Sequence, residues 1–143
     1  MTKDEMKKAV CRAIDEAAET IHKVVLDIES EPELGFKETK TAAKIETYMR
    51  SLGLDPETGL ALTGVKSKVS GKENGPTIAV LAELDAVGTP DSPKADPLTG
   101  AAHTCGHFLQ MASMLAAATG IVKSGVMKEL SGNAVFFAVP AEE

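Results

Sequence analysis

The sequence predicts an α/β fold built around a central sheet, and three features of the chain lead to it. Two stretches near the N-terminus carry helical periodicity. Two continuous apolar runs, Thr77–Leu84 and Asn133–Val139, have the length of buried strands. Between those runs the order is strand, long loop, helix, strand, which is the order of a right-handed crossover and makes the two strands parallel neighbours in one sheet.

From about Thr2 to Glu29, Met6, Val10, Ala13, Ala17, Ile21, Val25 and Ile28 recur at three- and four-residue steps, which predicts one long amphipathic helix stopped by Pro32. A second helix is predicted from about Lys37 to Leu52, with Ala42, Ile45, Tyr48 and Met49 inward and Gly53 as its C-terminal stop. "GLDPETG" reads as turn. "GVKSKVSG" alternates weakly, "GKENGP" supplies a turn, and "TIAVLAEL" is apolar throughout, so these segments read as a hairpin feeding a buried strand. The run Asp85–His107 has no periodicity, and a loop of that length inside a compact domain is usually functional or disordered. A helix from about Phe108 to Ser124 and the strand Asn133–Val139 complete the pattern.

A chain of 143 residues is long enough for one compact core, and 43% hydrophobic with 25% charged residues argues against disorder. The net charge of -6 is spread among alternating lysines and acids, with no basic block to bind nucleic acid. No apolar run reaches the roughly 18–20 residues that cross a bilayer, and "MTKDEMKK" has no signal-peptide core, so no membrane association and a cytoplasmic location are expected. The two cysteines, Cys11 and Cys105, are far apart and are expected to be free thiols or ligands.

Parallel strands deliver their C-terminal ends to one edge, where open α/β sheets bind ligands. Three polar groups are predicted to meet there: Glu83 and Asp85, the segment His103–His107 ("HTCGH"), and Glu142 with Glu143. Thiolate, imidazole and carboxylate form the donor set of a zinc-type site. Cys105 and His107 can face one ion only if the backbone between them is not helical, and Gly106 permits that turn. Past Pro140 the chain can turn so that one glutamate binds metal while its neighbour leans over a water, a division suited to metal-assisted hydrolysis. Taken singly, each residue has an ordinary use: the cysteine as packing, the histidines as helix-end groups, Asp85 as a turn former, the glutamates as solvated charges. Their joint occurrence carries the reading.

The motifs "EPELGFKET", "TGVKSKVSG", "VLAELDAVG", "HTCGH" and "VPAEE" occur in the order and approximate spacing found in M20-type metallopeptidases, and the chain resembles their amidohydrolase subgroup, which includes aminoacylases, hippurate hydrolases and aminobenzoyl-glutamate hydrolases. That resemblance implies a three-layer zinc-peptidase-like catalytic domain with a central mixed sheet flanked by helices. It implies two zinc or manganese ions and hydrolysis of the amide bond of an N-acyl amino acid or short peptide. Carried onto this chain, it makes Cys105, His107 and Glu143 metal ligands, Glu142 the general base and Asp85 the acid that orients the site. Glu83 stands where relatives with a different ligand set place a histidine, and it is not assigned as a ligand.

Phe108 and Gln110 depart from the subgroup, which usually has Asp or Asn and then a His at those places. Family members are also much longer. Residues 1–143 are therefore expected to be the N-terminal portion of a catalytic domain, without the lid and dimerisation domain or the later histidine ligands. Such a portion is expected to be inactive alone and to self-associate, because strand Asn133–Val139 would lack a neighbour from downstream. A non-catalytic relic or self-associating binding module that keeps the fold is the alternative reading.

Overall fold

A computed structural model describes residues 1–143. Helix α1 (Lys3–Glu29) starts from a capping box: the Thr2 hydroxyl accepts the Glu5 N–H at 3.3 Å, and the Glu5 carboxylate accepts the Thr2 N–H at 2.7 Å. Helix α2 (Thr39–Ser51) has an unusual start. Its first amides bond to the carboxylate of Glu33, which lies before the helix and accepts the N–H groups of Lys40 at 3.1 Å and Thr41 at 2.8 Å. Helix α3 (His107–Ser124) begins directly after Gly106 and ends at Gly125, both in the left-handed region. Gly120 lets α1 and α3 approach closely, since a Cβ there would come within 2.8 Å of Val10 Cγ1.

The main sheet contains β1 (Glu57–Leu60), β2 (Gly64–Ser70), β3 (Glu73–Glu83) and β6 (Ser131–Val139) in the order β1-β2-β6-β3. A separate two-residue ladder joins β4 (Val87–Gly88) and β5 (Ala101–Ala102) within the long loop. The crossover prediction holds, because β3 and β6 are parallel from Thr77↔Asn133 to Glu83↔Val139. One core gathers Ile21, Val25 and Ile28 from α1, Ile45 and Met49 from α2, Met111, Met114 and Leu115 from α3, and Val65, Ala82, Phe136 and Ala138 from the sheet. Fully burying one such side chain contributes about 1.5–3 kcal/mol. The mixed α/β class is as predicted.

Several local expectations are corrected. β2 and β3 do not form a hairpin: β6 lies between them, antiparallel to β2 and parallel to β3. The chain connection is short, but β6 offers Phe136 and Ala138 to the core and takes the central place. β3 is consequently an edge strand with Ile78 and Leu81 exposed, not a buried one, whereas β6 has neighbours on both sides. β3 also begins at Glu73, inside the predicted turn, with a register irregularity before Thr77 that accommodates Pro76. "GLDPETG" is not all turn, because Glu57–Leu60 pairs with β2. All four residues of β1 are exposed, so no alternating pattern marked it.

Candidate metal centre

Register brings the ends of β3 and β6 level, since Glu83 pairs with Val139, and the chain just past each end supplies Asp85 and Glu142–Glu143. The third contribution comes from the turn into α3. Gly106 has φ 99°, a conformation that glycine adopts without strain, and it separates Cys105 from His107 at the first position of the helix. All five residues predicted for the site therefore reach one sheet edge.

His107 is buried at its centre. Its Nδ1 lies 2.9 Å from the Asp85 carbonyl oxygen and 3.2 Å from Asp85 Oδ1. That contact assigns the ring proton to Nδ1 and leaves the Nε2 lone pair facing Glu83 Oε2 at 3.0 Å and Glu142 Oε2 at 3.8 Å. A ligand nitrogen of His107, the Cys105 sulfur and a Glu143 oxygen lie within 4.8 Å of one another, and so do ligand atoms of Glu83, His107 and Glu142. Lone pairs that face one another in this way call for a cation or a proton between them. Sulfur, imidazole and carboxylate together suit zinc-type divalent ions, so the residues present fit a metal.

The anions around Cys105 act on its thiol in the absence of such an ion. A hydrogen bond to the Glu143 carboxylate, then some desolvation by the surrounding atoms and the charges of Glu143, Glu142 and Glu83, hold the pKa of this exposed thiol above its ordinary value. A divalent cation inverts this logic, because a coordinating thiol is deprotonated outright. Asp85 is fully buried, and one residue braces both neighbours: its backbone carbonyl holds the histidine ring, and its Oδ2 accepts the Glu143 N–H at 3.0 Å.

His103, read from sequence as part of this cluster, stands outside both ligand groups. Its ring packs tilted against Phe108 at 5.5 Å, with both nitrogens buried and unpartnered, and burial followed by the proximity of His107 lowers its pKa. Phe108 packs partly against the core, and Gln110 is exposed. Glu83, which the sequence left unassigned, is the carboxylate nearest Nε2 of His107. Sequence reasoning missed Glu38 and Glu33 altogether. Both lie in the segment "EPELGFKET", where nothing in the local pattern says what a glutamate bonds to, and only the tertiary structure shows what they hold.

A parallel strand pair that gathers a thiol, an imidazole and several carboxylates at its C-terminal edge defines the class: the kind of site that metal-dependent hydrolases use. Comparison with known proteins agrees. YhaA of Bacillus subtilis (strain 168), carried under the name of an amidohydrolase, is 34% identical over 96% of this chain and 35% of its own length. N-acetylcysteine deacetylase of the same organism is 32% identical over 82% of this chain and 31% of its own length. Thermostable carboxypeptidase 2 of Saccharolobus solfataricus is 32% identical over 91% of this chain and 34% of its own length. Among solved structures, the YXEP protein of Bacillus subtilis, described as a dinuclear metal binding peptidase from the M20 family, superposes with a TM-score of 0.72 at 29% identity, covering 95% of this chain and 36% of that one. No family model matches the chain. The chain is thus homologous to the amidohydrolases and M20-family peptidases, and it spans about a third of the length of the relatives it matches.

Proposed function

We propose that residues 1–143 are the N-terminal portion of the catalytic domain of an M20-type amidohydrolase and supply part of a two-metal site, for zinc or manganese, that cleaves the amide bond of an N-acyl amino acid or short peptide. The observation that carries this reading is the convergence of Cys105, His107 and Glu143 within 4.8 Å at the sheet edge, beside Glu142. The names of the relatives, a deacetylase of N-acetylcysteine and a carboxypeptidase, support the substrate class.

In this reading Cys105, His107 and Glu143 hold the metal. When bound, the ions supply Lewis acidity toward the amide carbonyl and toward water. The chain's own groups do the rest. Asp85 keeps the His107 proton on Nδ1, so that Nε2 stays a lone-pair donor. Glu142, half-exposed where Glu143 is braced by Asp85, is free to take a proton from water and return it to the leaving amine. No helix is long and apolar enough to cross a membrane; a cytoplasmic location is part of the proposed reading.

Metal analysis tests the centre. After saturation with zinc or manganese and removal of excess, the wild-type chain should retain metal that Cys105→Ser does not. Equal retention by both would end the proposal.

A further inference from the structure

Glu38 is fully buried, yet its carboxylate does nothing for the helix it precedes. It occupies the N-cap position of α2, where its backbone carbonyl accepts the Ala42 N–H but its side chain bonds to no α2 amide, and the Glu33 carboxylate does that work instead. The Glu38 carboxylate is turned away from the helix. Oε2 accepts the Thr63 hydroxyl at 2.7 Å, and Oε1 accepts the backbone N–H of Ala141 at 2.9 Å.

Ala141 is the residue that needs holding. Its φ of 52° lies in the left-handed region, which a side chain with a Cβ adopts only at a cost, and it forms the turn that carries Glu142 and Glu143 to the site. Two ties fix that turn, one on each side of Glu142: Glu38 to the Ala141 N–H, and Asp85 to the Glu143 N–H. The loop bearing Glu38 also presses on it. Gly35 leaves only 3.0 Å between the place of its absent Cβ and the Ala141 Cβ. Burying a carboxylate is costly unless its oxygens are hydrogen-bonded, and both Glu38 oxygens are.

We propose that Glu38 is a positioning residue of the metal centre: it holds the Pro140–Glu143 turn in its strained conformation, so that Glu142 and Glu143 reach the cation position. The functional half of this statement rests on the metal-centre reading above. The anchoring half does not.

The test uses the 143-residue chain with two readouts, amide hydrogen exchange at Ala141 and zinc affinity by chelator competition. In Glu38→Ala, exchange at Ala141 should accelerate at least about tenfold while Phe136 in β6 stays protected, and zinc affinity should fall about 10–100-fold. Glu38→Gln should retain both, because its amide oxygen accepts the Ala141 N–H and its NH₂ donates to Thr63. In a Glu143→Ala background, Glu38→Ala should cost no further zinc affinity, since the ligand it positions is gone. Unchanged exchange at Ala141, or an equal affinity loss in both backgrounds, would overturn the proposal. If the wild type binds no zinc, the metal-centre reading fails and exchange at Ala141 still decides the anchor. Should Glu38→Ala not fold, Glu38→Asp keeps the charge on a shorter stem and carries the same readouts.

Discussion

Asp85 and Glu142 are both carboxylates within reach of His107, and their surroundings give them different work. Asp85 is buried, with Oδ2 accepting the Glu143 N–H and Oδ1, which has no hydrogen-bond partner, standing 3.2 Å from the His107 ring at Nδ1. Asparagine must turn its NH₂ toward one of these two groups. Glu142 is half-exposed and anchored by neither tie directly. The two residues should therefore fail in different ways. Asp85→Asn should lower zinc retention about 10–100-fold and cost about 1–3 kcal/mol in urea unfolding. Glu142→Gln, made in the whole enzyme of which we read this chain as a part, should keep its metal and lose about 10²–10⁴-fold in hydrolysis of N-acyl amino acids. Metal loss in Glu142→Gln, or full metal retention in Asp85→Asn, would reverse the assignment. The sequence placed these residues at one edge, because strand ends and a glycine turn are local features. It left Glu83 unassigned and did not mark Glu38, since a glutamate's partner dozens of residues away leaves no trace in spacing.

At the scale of elements, α2 and α3 are tied by one buried polar bond, Tyr48 Oη to Thr119 Oγ1 at 2.8 Å. Burial raises the Tyr48 pKa above 10.0, against a smaller lowering by Thr119. The folded state thus holds the phenolic proton more tightly than the unfolded one. The stability this contributes is fully present below about pH 10, the unfolded value, and is lost as pH rises through the folded value. Because Tyr48 is the chain's single tyrosine, its phenolate absorbance reports the site without interference. We expect phenolate to appear above pH 10 together with unfolding, and Tyr48→Phe to flatten the alkaline fall of the urea midpoint. A midpoint equally pH-dependent in both proteins would remove this account. The periodicity of α1 and α2 was legible because each buries one face. The order of the strands was not, because β6 enters the sheet between two elements that adjoin in sequence.

For the molecule as a whole, the outer edge of the sheet is the informative surface. β3 pairs on one side only, with Ile78 64% and Leu81 60% exposed, so its free edge is both unpaired and apolar. Such an edge favours addition of another strand, so the self-association expected from the sequence, if it occurs, would use β3 and not β6. Sedimentation of the 143-residue chain should show association that grows with concentration, and Leu81→Lys should weaken it without lowering the unfolding midpoint. A wild type that stays monomeric at every concentration would exclude it.

The sequence alone determined the α/β class, the parallel crossover and the approach of Cys105, His107, Asp85, Glu142 and Glu143 to one edge, since each follows from period, chain order or a glycine turn. Only the tertiary structure decided that β6 is central and β3 lies at the edge, that Glu83 faces Nε2 of His107, and that Glu38 and Asp85 clamp the turn at Ala141. Those outcomes depend on which surfaces compete for the core and on hydrogen bonds between segments remote in the chain, and neither is encoded in local pattern.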